Sequence, residues 1–178
     1  MGVIRRDTAE TSIRVELRSG SGASKVETGN AFLDHMITAF ARYSGLDIDI
    51  SARSDLRHHL IEDVALTLGR AVREIIPPGA ARYGNRVVPM DDALVQVCID
   101  IGGRPYYEGP LPSRMYDHWM RSFSNEARAT IHLLVLRGSD RHHVVEAAFK
   151  ALGLALRDAL EDTGDVVSTK GSVSVSVE

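Results

Sequence analysis

The sequence has one cysteine, one tryptophan, six prolines and an aromatic content of 6%. A lone cysteine excludes any disulfide framework within the chain. Cys98 lies in the apolar run Leu94 to Ile101, where it reads as a small buried hydrophobe in a chain made for a reducing compartment. No apolar run is long enough to span a membrane, and the polar start, Met1 to Asp7, leads into no signal-peptide core, so the cytoplasm is the expected location. An excess of positive charge is missing too. The 21 Lys plus Arg stand against 24 Asp plus Glu, a formal charge of -3, which disfavours nucleic acid and anionic membranes as partners. What remains, at 178 residues with 44% hydrophobic and 25% charged, is a folded chain the size of one domain or two small fused repeats. Such a length buries about 70% of its unfolded surface and needs no structural metal merely to fold.

Histidine is the residue with an unusual distribution. The seven lie at 35, 58, 59, 118, 132, 142 and 143, and four of them form two His-His pairs. The surrounding periodicities place most of them on helices. Ile4 to Arg18 alternates as one or two strands, with Glu10 inside the alternation, and breaks at Ser19-Gly20-Ser21-Gly22. A helix follows the Thr28-Gly29-Asn30 cap, with Phe32, Leu33, Met36, Ile37 and Phe40 at helical spacing up to Gly45. Leu46 to Ala52 reads as a strand, and His58 to Ile76 as an amphipathic helix stopped by Pro77-Pro78. The order then recurs. Val87 to Ile101 and Arg104 to Glu108 read as strands, Met115 to Ala127 as a helix, Thr130 to Leu136 as a strand and His142 to Leu160 as a helix. The tail Ser172 to Val177 alternates as a short strand.

This recurrence is an internal duplication. Laying His58 to Ile76 over His142 to Leu160 matches His58, His59, Glu62, Leu68, Gly69, Ala71 and Arg73 with His142, His143, Glu146, Leu152, Gly153, Ala155 and Arg157. At nearly the same offset Asp34-His35 and Phe40 match Asp117-His118 and Phe123. The chain is therefore read as a single domain, 1–178, made of two halves, about 1–84 and 85–178.

The duplicated polar residues are a metal-ligand set. Positions i and i+4 differ by about 40° around a helix, so His58 shares a face with Glu62, and His142 with Glu146. The adjacent His59 and His143 are turned by about 100° and must serve a different ion or none. Six imidazoles and two carboxylates suffice for two divalent ions with three His and one Glu each. Packing would preserve Leu68/Leu152 and Gly69/Gly153, but it gives no reason to keep histidine pairs at both helix starts, where a cationic imidazole faces the positive end of the dipole. His132, unduplicated and between Ile131 and Leu133, reads instead as a core or supporting histidine. Arg82 and Arg104, in Gly- and Pro-punctuated segments, offer guanidinium forks for a phosphate or carboxylate. Ser168, Thr169 and Lys170 offer hydroxyls and an ammonium to the same kind of anion.

With these residues assembled, the chain closely resembles the imidazoleglycerol-phosphate dehydratase family of histidine biosynthesis over essentially its whole length. The matching motifs are Glu10-Thr11-x-Ile13, Thr28-Gly29-x-x-Phe32-Leu33-Asp34-His35-Met36, His58-His59-x-x-Glu62-Asp63, Arg82-Tyr83-Gly84, Pro89-Met90-Asp91, Gly103-Arg104-Pro105-Tyr106, His142-His143-x-x-Glu146-Ala147-x-Phe149-Lys150 and Ser168-Thr169-Lys170-Gly171. The resemblance implies a duplicated α+β fold, each half a mixed β-sheet backed by two helices, as in the second domain of ribosomal protein S5. It implies a homo-oligomeric shell of 24 subunits with two manganese ions (Mn2+) per chain where subunits meet. One ion would take His35, His59, His142 and Glu146, and the other His58, Glu62, His118 and His143. The implied reaction is the dehydration of imidazole glycerol phosphate to imidazole acetol phosphate, through a di-manganese-bound imidazolate and a diazafulvene-like intermediate. Glu10 would be the catalytic base in contact with substrate, and Arg82, Arg104, Ser168, Thr169 and Lys170 would hold the phosphate, with Lys170 supplied by a neighbouring subunit. The chain departs from the family pattern at Tyr43, where a histidine is common, at Asp92 and Asp140, and in a shortened linker before His58.

Overall fold

A computed structural model describes residues 2–164 of the chain. Ser168, Thr169, Lys170 and the expected tail strand lie outside the described residues. The first half runs β1 (Gly2–Asp7), β2 (Thr11–Ser19), β3 (Ser24–Glu27), α1 (Ala31–Ser44), β4 (Leu46–Ser54) and α2 (Arg57–Glu74). The second repeats the order with β5 (Tyr83–Met90), β6 (Ala93–Asp100), β7 (Tyr106–Glu108), α3 (Arg114–Ala127), β8 (Thr130–Arg137) and α4 (Arg141–Ala159). Each half folds into a four-stranded sheet with the same topology, β1-β2-β4-β3 and β5-β6-β8-β7. In both, the third strand in sequence pairs in parallel with the fourth, across a helical crossover, and the other pairings are antiparallel. The duplication read from the histidines is a duplication of the fold.

Each sheet buries one face beneath its own two helices. Ile13, Val15 and Leu17 of β2 and Val95, Val97 and Ile99 of β6 all point inward, while their sequence neighbours point out. The two helical layers then meet, α1 on α4 and α2 on α3, so the layers run sheet, helix pair, helix pair, sheet. Fully buried Trp119, Phe40, Phe123 and Phe149 fill the interior, with Trp119 and Phe149 centroids 4.5 Å apart. The duplicated glycines set how close the layers come. A Cβ on Gly69 would lie 2.5 Å from the Phe123 carbonyl oxygen, and one on Gly153 would lie 2.9 Å from that of Phe40. Glycine at each crossing therefore lets two backbones approach where any side chain would force them apart.

Several expectations need correction. The run Val87 to Ile101 is a hairpin, β5 and β6, because Asp91 takes a left-handed conformation (φ 48°) and turns the chain. The four-residue β3 had not been expected. The strand read from Arg104 begins only at Tyr106, and the halves join through 75–82, so the expected junction at 84/85 falls inside β5. Glu10 sits in the turn before β2, not within a strand. Cys98 and His132 are not core residues either. They pair across β6 and β8 on the solvent side of the sheet, Cys98 half-buried and His132 exposed beside Tyr106 at a centroid distance of 5.4 Å. Their strand neighbours Val97, Ile99, Ile131 and Leu133 occupy the inner face, and the pleat sends Cys98 and His132 outward.

Candidate metal and active site

All four helices begin at the same end of the molecule. The His58 and His118 rings, at the starts of α2 and α3, stack with centroids 5.0 Å apart, and Phe32 and His142, at the starts of α1 and α4, lie 5.2 Å apart. This convergence builds two clusters. In the first, Nε2 of His142 lies 3.0 Å from Oε2 of Glu146, one helical turn on, and Nε2 of His35 reaches the same oxygen from α1 at 3.2 Å. In the second, Nε2 of His58 lies 3.4 Å from Oε2 of Glu62, and Nε2 of His118 reaches that oxygen from α3 at 3.3 Å. Within each cluster one donor atom from every residue falls within 4.8 Å of the others. The clusters are images of one another under the internal duplication.

The donors fit a divalent cation. Two imidazole nitrogens and a carboxylate oxygen around one point are a borderline-soft set suited to manganese, iron or zinc, with positions left open. The His118 nitrogen gives a sharper indication, because it is buried and has no hydrogen-bond partner among the described residues despite its nearness to Glu62. A buried nitrogen left unpaired is costly unless something else satisfies it, and a cation at the centre of the cluster would do so. Glu146 is almost fully buried, which alone would push its pKa up. Hydrogen bonds from Lys150 and His35 outweigh that burial and hold it below its ordinary value, so it is ready as an anionic ligand.

One chain brings together three members of each expected ligand set and leaves the fourth elsewhere. His59 faces away from both clusters, as the angular argument requires, with Nδ1 2.9 Å from Oδ1 of Asp55 and 3.4 Å from Oε2 of Glu10. His143 faces away similarly, with Nδ1 2.8 Å from Oδ1 of Asp92. The Asp55 bond, against some desolvation, raises the pKa of His59, and the Asp92 bond does the same for His143. A carboxylate on Nδ1 fixes each ring, the usual support of a metal-binding histidine, and Nε2 of His143 also lies 3.4 Å from Oδ2 of Asp91. Asp92 also accepts from the backbone N–H of Ser139 at 2.7 Å and of Asp140 at 3.2 Å, which hold its own pKa far below the usual range. Asp140 caps α4 through the His142 and His143 N–H groups. These two departures from the family pattern thus orient the second histidine pair. The supporting roles of Asp55 and Asp92 were not apparent from the sequence, since Asp55 lies in a turn and Asp92 at a hairpin tip remote in sequence from His143.

Glu10 is exposed at the edge of this region and in contact with His59. Its turn is tied to α2 through Thr11, whose hydroxyl donates to the buried carboxylate of Asp63, which Arg6 also holds at 3.0 Å. Arg82 and Arg104 lie at the other end. The Arg82 backbone N–H donates to the carbonyl of Ala159, the last residue of α4, about 25 Å along that helix from His142 at 1.5 Å per residue. Its guanidinium forks onto Asp100 at 2.7 and 3.0 Å, an arrangement that raises its own pKa and depresses that of Asp100. Arg104 is exposed close by, two residues from Gly102, whose N–H also donates to Asp100. Within one chain the arginine pair and the histidine clusters do not meet. Tyr43, the remaining departure, has its ring 5.7 Å from the Lys150 ammonium.

Fold and clusters together define a class: a duplicated α+β protein that concentrates repeated imidazole–carboxylate sites at one end of its four helices. Comparison with known proteins makes this specific. The family described as imidazoleglycerol-phosphate dehydratase matches residues 28–156. The imidazoleglycerol-phosphate dehydratase of Pyrococcus furiosus is 45% identical over 177 residues, spanning 94% of this chain and 99% of that protein. That of Pyrobaculum calidifontis is 49% identical over 183 residues, spanning 94% and 97%. Among solved structures, the Pyrococcus furiosus dehydratase superposes with a TM-score of 0.87 at 44% identity, covering 96% of this chain and all of that one. The Staphylococcus aureus enzyme superposes at 0.81 with 32% identity, covering 92% of this chain. The chain belongs to the imidazoleglycerol-phosphate dehydratase family.

Proposed function

We propose that the chain is a metal-dependent hydro-lyase that converts imidazole glycerol phosphate to imidazole acetol phosphate and water in histidine biosynthesis. The observation that carries the reading is the pair of duplicated clusters, His35/His142/Glu146 and His58/Glu62/His118, each one ligand short of the set that family resemblance implies. The missing ligands, His59 and His143, stand oriented by carboxylates on the same chain and turned away from its own clusters. A neighbouring copy can supply them. The same division explains why Arg82 and Arg104 stand a helix length from the histidines they should work with, and it supports a closed shell, 24 chains by family resemblance. Apolar Val87, Leu134 and Leu136, exposed on the second sheet, favour burial between subunits as well.

Each ligand set would hold one manganese ion. Bound ions would supply Lewis-acid chemistry that makes the substrate imidazole easier to deprotonate, so that its ring can push out the hydroxyl on the adjoining carbon. The protein's own residues do the rest. The C–O bond at the ring-adjoining carbon breaks, the hydroxyl departs as water with the ring N–H proton, and Glu10 takes the proton of the next carbon onto a carboxylate oxygen to leave the enol. The resulting enol becomes the ketone by proton return to carbon. Arg82 and Arg104, with Ser168, Thr169 and Lys170 assigned by resemblance, hold the phosphate and keep the reacting carbon against Glu10. The enzyme would work in the cytoplasm; no helix among the described residues is long and apolar enough to cross a membrane.

Assaying dehydration of imidazole glycerol phosphate by chelator-treated protein, before and after adding manganese, tests the reading. Turnover that is absent without metal and restored at two ions per chain is expected. Turnover indifferent to metal, or none with metal bound, would overturn it.

A further inference from the structure

Glu10 is held in place by its own chain, and the restraint ends on a buried carboxylate outside both ligand sets. On α2, Asp63 stands four residues after His59, on the same face of the helix, where it meets the start of β2. It is 8% exposed. The Thr11 hydroxyl donates to it, and the Arg6 guanidinium of β1 donates to it at 3.0 Å. Thr11 has one hydroxyl proton, and Asp63 takes it. The 3.0 Å contact between the Thr8 and Thr11 hydroxyls is therefore donated by Thr8. The Thr8 oxygen in turn accepts from the backbone N–H groups of Glu10 at 3.1 Å and Thr11 at 3.0 Å. A line of donors thus runs from the Glu10 peptide through Thr8 and Thr11 to Asp63. On its other side, the Glu10 carbonyl accepts at 3.1 Å from the N–H of Asp55, whose carboxylate holds His59. Both ends of Glu10 are fixed, with its Oε2 3.4 Å from Nδ1 of His59.

The second half shows what the fold itself requires at this place. Inward-facing Ile13, Val15 and Leu17 of β2 correspond to Val95, Val97 and Ile99 of β6, so Thr11 corresponds to Ala93 and Glu10 to Asp92. Laying α2 over α4 puts Asp63 on Ala147. Ala93 and Ala147 are both buried. Two small apolar residues therefore satisfy the packing, whereas a buried hydroxyl and carboxylate give up water for their hydrogen bond and gain little net stability. The polar pair stands in the half that carries Glu10. In the other half the corresponding carboxylate, Asp92, is bonded to His143 and to the backbone N–H groups of Ser139 and Asp140. In the first half Asp55 takes over the support of the histidine, which leaves the Glu10 carboxylate exposed and able to take a proton.

We propose that Asp63 is a positioning residue for the dehydration: through Thr11 and Thr8 it fixes the main chain of Glu10 and so holds that carboxylate where the carbon-bound proton is taken. The inference rests on the reading of Glu10 as the base. Asp63 itself touches neither substrate nor metal, and it acts on the rate through the place it gives Glu10.

The test is a mutant cycle on manganese-loaded, assembled protein. Thr11→Ala/Asp63→Ala installs the residues that the second half already uses, so particle size and metal content should match the parent. With imidazole glycerol phosphate, kcat should fall about 10- to 100-fold, the cost of misplacing a reacting group by about 1 Å, while KM changes by less than about twofold. Thr11→Ser keeps the hydroxyl and should keep the parent kcat. In a Glu10→Gln background the paired substitution should cost nothing further, because its effect passes through Glu10. Thr11→Val takes the place of the pair if the paired variant changes particle size. A parent-like kcat in the paired variant, with Glu10→Gln impaired, overturns the positioning role and leaves Glu10 as the base. A loss confined to KM, a loss equal in both backgrounds, or an equal loss in Thr11→Ser overturns it as well. Near-normal kcat in Glu10→Gln overturns the reading of Glu10 and this inference with it.

Discussion

His118 and Glu62 meet across the α2–α3 interface with Nε2 3.3 Å from Oε2, yet the imidazole nitrogen makes no hydrogen bond to the carboxylate or to any other group among the described residues. Two groups held this near without bonding point at a common third position. A cation there would account for both the spacing and the unpaired nitrogen, and His35 approaches Glu146 at the duplicated position, at 3.2 Å.

Metal stoichiometry follows from that geometry. Elemental analysis of exhaustively dialysed, manganese-loaded protein should give two ions per chain, and His118→Ala should bring it to about one while sparing the His35 cluster. Removing one of four ligands weakens binding by more than the roughly 10 to 100-fold typical of supporting residues. A single ion in the parent protein, or two unchanged in the variant, would contradict the ligand sets.

The role of Glu10 is separable from the metals. Glu10→Gln keeps size and hydrogen bonding but cannot take a proton, so kcat should fall by about 100-fold or more, with metal content and particle size unchanged. Near-normal kcat in an intact assembly would remove Glu10 from the mechanism.

Both glycine crossings should resist substitution. Gly69→Ala gains helix propensity, about 1 kcal/mol, but drives a methyl group against the Phe123 carbonyl, and overpacking of this kind costs about 1–3 kcal/mol. The backbone oxygen cannot step aside as a side-chain tip could, so a net loss of thermal stability is expected, with a similar effect at Gly153. A raised Tm in either variant would show that the layers have slack.

The Arg82–Asp100 pair gives stability an acid limb. Its folded-state carboxyl is held below the ordinary value, chiefly by Arg82, so its contribution is fully present above the unfolded pKa near 3.8 and disappears as pH falls through the lower folded value. Asp100→Asn should cost about 1–2 kcal/mol at neutral pH and flatten the decline below about pH 4 in chelated protein. Parallel pH profiles for the two proteins would exclude the linkage.

The helices and their metal ligands were legible because a 3.6-residue period and an internal duplication reinforce each other, so that the 100° between His58 and His59 predicted their separation before any coordinates. The hairpin at Asp91 was hidden in one long apolar run, since Asp carries the left-handed turn without a glycine to announce it. β3 is four residues, mostly exposed, and lacks an apolar pattern to detect. Pairings formed by tertiary contact, such as His143 with Asp92 and Arg82 with Asp100, leave no periodic trace. Nor does any sequence spacing reveal that Arg82 and His142 stand at opposite ends of α4.

That separation makes the division of the site between chains the central claim. Its most direct test is the dehydration rate of assemblies refolded from two variants mixed one to one, His59→Ala/His143→Ala and His118→Ala/Glu146→Gln, each inactive alone. The first keeps the clusters and lacks the completing histidines, and the second has the reverse. If clusters on one chain are completed by histidines of another, mixed assemblies regain a substantial part of wild-type turnover. Mixed assemblies that form, hold both chains and remain as inactive as their parents would contradict the account.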